Sequence, residues 1–261
     1  MAAPKDKSQI ITAFVIDFET GGLDCKKCAA TQISAHAIRL DTFEVIGVFN
    51  KYIYPYQRRD DLGKPKRKVL RNKYDVEEEA KQNTLEYGKV ALEYSAITME
   101  MLYEKGEDIQ VVCESLIEFF KQHTFTTSRK LKPIFVGQNI LFDLGFLQQI
   151  MTYTDLWKEI AKIFRGSEDF MGNFQPYYVD TILFSQLAFC HKDGVNSWSL
   201  SNLCEMLGIE LDDAHDADAD VTATREVLRL LTVRSRNEDV EEESGSTVVT
   251  KKVKTREHFK I

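Results

Sequence analysis

The segment that most constrains this chain is Ile10-Ile-Thr-Ala-Phe-Val-Ile-Asp17, an apolar run rich in β-branched residues. A short run of that kind reads as a strand buried on both faces. It leads into Asp17-Phe18-Glu19 and is closed by Thr20-Gly21-Gly22. Alternate positions on a strand point to one face, so the two carboxylates emerge side by side at the strand's end. Adjacent like charges at such a place are costly unless a cation sits between them. Oxygen-only ligands favour Mg²⁺ or Mn²⁺. An Asp-x-Glu triplet is common in a chain with 41 acidic residues. Its position, after a buried strand and before a Gly-Gly turn, is what singles it out.

Gln32–Arg39 and Val45–Tyr54 read as further strands, and the short polar link Leu40–Glu44 makes them an antiparallel hairpin. Residues 55–84 are dominated by Lys, Arg, Asp and Glu and read as an insertion or long loop, ending in a helix near Val76–Leu85. Helical spacing returns at Ile97–Leu102 and at Ile109–Phe120, where Val112, Leu116, Phe119 and Phe120 share a face. Lys132–Gly137 is another buried strand, Phe142–Tyr153 an apolar helix and Tyr177–Asp180 a short strand. Thr181–Phe189, Ser199–Leu207 and Asp216–Val233 read as helices, with Gly208 at a C-terminal cap. A meander of strands followed by strands alternating with helices predicts an α/β fold, a mixed sheet covered by helices.

Two more acidic segments stand out. Val136-Gly-Gln-Asn-Ile-Leu-Phe-Asp143 runs from a strand through a polar turn into the first turn of a helix. An acid there complements the helix dipole, which is the plain structural reading. In Ala214-His215-Asp216-Ala-Asp218-Ala-Asp220, Asp216 fits an N-cap, Asp218 the solvent face, and Asp220 lies one turn along the Asp216 face, able to point back toward the sheet. A lone histidine in such a loop is more often structural than functional.

Taken together, DFET at Asp17–Thr20, NILFD at Asn139–Asp143 and HDADAD at His215–Asp220 resemble, in order and spacing, the three motifs of the DEDDh 3′→5′ exonucleases. This is the DnaQ-like branch of the ribonuclease H-like fold, and the similarity runs from about Thr12 to Leu231. The resemblance implies a mixed five-stranded sheet with one antiparallel strand. It implies a metal-dependent 3′→5′ exonuclease releasing 5′-nucleoside monophosphates from single-stranded DNA ends, in proofreading or repair. Asp17, Glu19, Asp143 and Asp220 would hold two divalent ions, Mg²⁺ or Mn²⁺, with His215 as general base. Phe18, Thr20, Gly21, Leu23 and Asn139 would border the terminal nucleotides, although core packing is an equal alternative for Phe18 and Leu23. Asp180 is structural in the family pattern.

The same resemblance fits an RNA-trimming exoribonuclease, because metals see phosphate and not sugar. A non-catalytic nucleic-acid-binding module is a third reading, which the retention of all four carboxylates and His215 disfavours. The exonuclease domain is expected over residues 1–233. Residues 234–261 form a tail that is acidic over 237–246 and then basic.

The net charge of −7 does not announce a nucleic-acid binder, but bound cations would cancel the acids and attract phosphate. The basic cluster Arg58, Arg59, Lys64, Lys66, Arg67, Lys68, Arg71 and Lys73 reads either as a phosphate-tracking arm or as a solvated loop. No apolar run approaches the ~20 residues that span a bilayer, and the first residues lack the apolar stretch of a secretory signal. Five scattered cysteines suit a reducing compartment. A cytoplasmic location without a membrane partner follows, with a polymerase or replisome partner suggested by the family. Cys25, Cys28, Cys190 and His191 are capable zinc ligands, but a second pair at metal-binding spacing is missing.

Overall fold

The computed structural model describes residues 10–57, 84–126, 128–210 and 216–236. The helix expected near Val76–Leu85, the basic cluster at 58–73, His215 and the tail beyond residue 236 lie wholly or almost wholly outside the described residues.

Three strands open the fold: β1 (Thr12–Thr20), β2 (Ala30–Arg39) and β3 (Val45–Tyr52). Helices α1 (Lys89–Tyr94), α2 (Met99–Lys105) and α3 (Ile109–Gln122) precede β4 (Ile134–Gly137). Then come α4 (Ile140–Tyr153), α5 (Trp157–Ile163), the hairpin β5 (Gly166–Glu168) and β6 (Phe174–Pro176), and β7 (Tyr178–Asp180). Helices α6 (Thr181–Ala188), α7 (Leu200–Leu207) and α8 (Ala217–Ser235) close the described chain. The main sheet has the order β3-β2-β1-β4-β7. β2 is antiparallel to both β1 and β3, whereas β4 is parallel to β1 and β7. The expected mixed five-stranded sheet with one antiparallel strand is therefore what the chain forms.

Strand alternation sorts β1 between two cores. Phe14, Ile16 and Phe18 join Ile33, Phe135 and the apolar faces of α3, α4 and α5. Ala13 and Val15 point the other way, against Val221, Leu228 and Val233 of α8. Burial of both faces is why β1 is apolar without alternation. On the first face, Phe14, Phe120, Phe135 and Phe164 form a contiguous aromatic cluster, with Phe135 and Phe164 stacked at 3.8 Å between centroids. Helix α8 in turn carries α6 and α7 through a third core around Leu203, Leu207, Val227 and Leu231.

Helix ends follow local chemistry. Asp108, Asp180 and Asp216 cap α3, α6 and α8 by accepting backbone N–H bonds. Gly208 closes α7 at φ +72°, the left-handed position expected of a C-terminal glycine. β1 runs farther than the apolar stretch suggests, so Asp17 and Glu19 lie within the strand. No described helix is long and apolar enough to cross a membrane.

Candidate active site

Asp17 and Glu19 continue the Ala13–Val15 face of β1, which α8 covers. The side chain of Asp220, in the first turn of α8, meets them there: carboxylate oxygens of the three residues lie within 4.8 Å of one another. Among the described residues this is the group able to hold a metal ion; Cys25, Cys28, Cys190 and His191 do not form one. The zinc alternative is thereby not supported.

Asp143 arrives from the opposite layer. β4 pairs with β1 only from Ala13 to Val15, so β1 continues past its parallel neighbour. Into that opening α4 inserts Asp143, which is 2% exposed and accepts a 3.0 Å hydrogen bond from the Phe18 amide. The dipole-complement reading of Asp143 misses this: the side chain is turned into the sheet, not toward solvent.

Like charge and burial dominate the electrostatics. Burial, then Asp220 and Asp216, push the Asp17 carboxyl up to about 8. Burial, then Asp17, Asp220 and Asp216, push Glu19 up to about 9. Asp143 is held well above the carboxylate range by burial and by Asp17, despite the Phe18 amide. No described cation is among these influences. An all-oxygen set of this kind, protonated unless a positive charge is supplied, fits a hard divalent cation.

The start of α8 is pinned to β2. Asp216 caps the helix through Asp218 N–H at 2.9 Å, and Gln32 Nε2 reaches Asp216 Oδ2 at 3.5 Å. Asp218 Oδ1 accepts from Ser34 Oγ at 2.9 Å and lies 3.0 Å from His36 Nε2, which places the imidazole proton on Nε2. Asp218 is thus not on a purely solvent face as the helix pattern suggested. Its polar partners on β2 fix the turn that carries Asp220.

A cleft of about 780 Å³ opens over the acids. Thr20, Gly21, Leu23 and Asn139 line it. Leu23 is 89% exposed on the rim, whereas Phe18 borders the cleft but is only 4% exposed and belongs to the core. The Gly21 amide donates to Ala29 O at 2.7 Å, so that donor is already used within the protein. Asn139 adopts the left-handed conformation at φ +55° as α4 begins, and its amide lies 3.3 Å from Asp180 Oδ1, which also caps α6. Asp180 is structural, as read.

The opposite wall is α1, which the sequence reading did not anticipate; Val90 and Tyr94, one turn apart and exposed, face the cleft. Gln138 and Gln149 also escaped notice. Gln138 Nε2 donates to Trp198 O at 2.7 Å, bringing the start of α7 to the rim. Gln149 donates to Cys28 O at 2.9 Å and accepts from Tyr56 Oη at 2.7 Å, fixing the turn after the Gly-Gly pair. A buried glutamine within an otherwise apolar helix pattern was the available signal.

No family model matches the chain, and no curated protein matches its sequence. Solved structures do match. Escherichia coli exonuclease I in complex with a dT13 oligonucleotide superposes with a TM-score of 0.59 at 21% identity, over 87% of this chain and 42% of that one. The same enzyme with a dA16 oligonucleotide gives 0.55 at 21% identity, over 86% and 41%. Its zinc-bound form with single-stranded DNA gives 0.53 at 22% identity, over 87% and 41%. The chain therefore shares its fold, a mixed five-stranded sheet flanked by helices, with exonuclease I. This chain spans less than half the length of those it matches. The polymerase partner suggested by the family has no support in these matches.

Proposed function

We propose that this protein is a metal-dependent 3′→5′ exonuclease acting on single-stranded DNA and releasing 5′-nucleoside monophosphates. The observation that carries the reading is the convergence of Asp17, Glu19 and Asp220 from two elements within 4.8 Å, with buried Asp143 beside them. The exonuclease I fold and the oligonucleotides named with those structures support it.

Asp17, Glu19 and Asp220 would hold one divalent cation, and Asp17 with Asp143 a second. Bound there, Mg²⁺ or Mn²⁺ supplies an activated water and stabilises charge on the leaving oxygen. The chain's own residues do the rest. The four carboxylates, spread over β1, α4 and α8, set the direction from which the scissile phosphate is approached. His215, one residue before the α8 cap, takes the proton of the attacking water, which suits an imidazole near neutral pH. Leu23, Val90 and Tyr94 offer apolar surface to the terminal bases, and Asn139 a polar contact. Residues of α1 and of the start of α7 line the walls between which a strand end would enter.

The test is a gel of 5′-labelled single-stranded DNA and RNA, each with Mg²⁺, Mn²⁺ or chelator. A metal-dependent ladder shortening from the 3′ end, faster on DNA, is expected. A faster RNA ladder overturns the substrate assignment. No shortening of either by folded, metal-supplied protein overturns the enzymatic reading.

A further inference from the structure

A second cleft, of about 770 Å³, lies at the other end of the sheet, where β4 and β7 begin. Arg129, Lys130, Lys132 and Arg165 line it against one acid, Glu168. None of these four cations is ion-paired with another described residue, unlike nearby Lys121 and Lys162, which both pair with Glu159. Four cations without an ion-pair partner among the described residues, converging on a concave surface, raise local positive potential in a chain whose net charge is −7. An aromatic face accompanies them: the Arg165 guanidinium sits 5.4 Å from the centroid of Tyr177, a half-exposed ring that also lines the cleft.

The basic cleft continues toward α4. A third cavity of about 440 Å³ shares Ser167 and Tyr177 with the basic cleft. It then continues along the edge strand β7 past Tyr178 to Leu141 and Leu144 of α4. Leu141 is 61% exposed and adjoins Phe142, which lines the acidic cleft. Exposed Tyr177, Tyr178 and Leu141 thus extend from the cations to the first turn of α4, the helix that carries Asp143. Alternating stacking surface with a cationic end is the chemistry that holds single strands without reading their sequence.

We propose that the basic cleft anchors the phosphodiester backbone of a single strand upstream of the 3′ end held at the acids. The inference rests on the nuclease reading for the direction of the strand, but binding and cleavage are measured separately. A strand held at both clefts stays on the enzyme after each cleavage, so the site bears on processivity as well as affinity.

The experiment uses the full chain in chelator, which stops cleavage, and labelled DNA single strands of roughly 4 and roughly 16 nucleotides. Wild type is compared with a triple variant, Arg129→Ser, Lys130→Ser and Arg165→Gln, whose positions are exposed, so folding is retained and checked by circular dichroism. The wild type should prefer the longer strand, and the variant should lose that preference by about tenfold. The salt dependence of long-strand binding should also fall by about 2 in log–log slope, from three lost contacts at ~0.7 each. An unchanged preference and slope overturn the proposal. So does an acidic peptide, polyglutamate, that binds the cleft without displacing the long strand. Failure of the nuclease reading would show instead as intact, metal-supplied wild type that binds strands but does not shorten them.

Discussion

The amide of Phe18 donates a 3.0 Å hydrogen bond to Oδ1 of Asp143, 125 residues away in sequence. The bond joins the middle of the acid motif on β1 to the helix on the other side of the sheet. It exists because β4 stops pairing with β1 at Val15 and leaves that amide to be satisfied by a side chain.

Replacing Asp143 therefore separates two roles. Asp143→Asn keeps an oxygen for the Phe18 amide and removes an ionisable group whose charged form burial disfavours. Its melting temperature in chelator should equal or exceed that of the wild type, while metal-supplied cleavage falls on the order of a hundredfold or more. Asp143→Ala leaves the buried amide unpaired and should cost about 1–3 kcal/mol. Thermal melts and the cleavage gel check both; an Asn variant as unstable as the Ala variant would contradict the charge argument.

Stability should depend on pH in a direction opposite to that of an ordinary salt-bridged carboxylate. Asp17 and Glu19 are raised from 3.8 and 4.5 to about 8 and about 9 by burial and by their acidic neighbours. The folded state therefore holds protons that the unfolded state releases, and stability falls as pH rises through this window. His36, lowered from 6.5 by burial despite Asp218, acts in the other sense below that value. Melts in chelator between about pH 6.5 and about pH 8.5 isolate the carboxylates and should show a falling melting temperature. Mg²⁺ or Mn²⁺ should reverse the fall in a concentration-dependent way, because the metal binds the deprotonated acids. A flat metal-free profile would refute the linkage.

Asp218 is predicted to matter although no metal role is assigned to it. Asp218→Ala removes the acceptor shared by Ser34 and His36 and frees the turn that holds Asp220. Loss of such an outer contact typically weakens metal affinity or activity about 10–100-fold. Metal titration followed by melting temperature reads the first quantity, and Asp218→Asn, which retains an acceptor oxygen, should recover part of it. Wild-type metal affinity in the Ala variant would show that α8 is positioned by its core contacts alone.

Gly21→Ala should disturb the rim of the acidic cleft. A Cβ at Gly21 would collide with the Glu86 carbonyl oxygen and stand 2.9 Å from Tyr87 Cα, both backbone atoms. The same segment is tied back by Gly88 N–H donating to Gly21 O at 2.7 Å. Overpacking of this kind costs about 1–3 kcal/mol. The variant should melt lower and, because Gly88 and Val90 line the cleft, bind strand ends more weakly. An unchanged melt would mean that the 86–88 strap yields freely.

The acid cluster was legible in large part because strand geometry is local: period 2 alone places Asp17 and Glu19 on one face. The caps at Asp216 and Gly208 were legible for the same reason. What escaped depended on neighbours distant in sequence. Asp218 looked like a solvent position until β2 supplied Ser34 and His36. Phe18 could equally have stacked on a base, and only the packing of α4 against β1 settles it in the core. The three-residue strands β5 and β6 and the six-residue α1 are too short to show a period, so the basic cleft beside the first and the wall made by the second went unseen.

Because the acids come from β1, α4 and α8, their assembly is ordered by synthesis. A nascent chain that has emerged only as far as α7 carries Asp17, Glu19 and Asp143 but not Asp220. Its first strand has one core face covered and the other, with Ala13 and Val15, still bare. Docking of α8 buries that face and completes the carboxylate cluster in one event. Competence to bind metal at these carboxylates is thus acquired only once α8 has been made and docked, so the proposed cleavage stays silent on the ribosome until then.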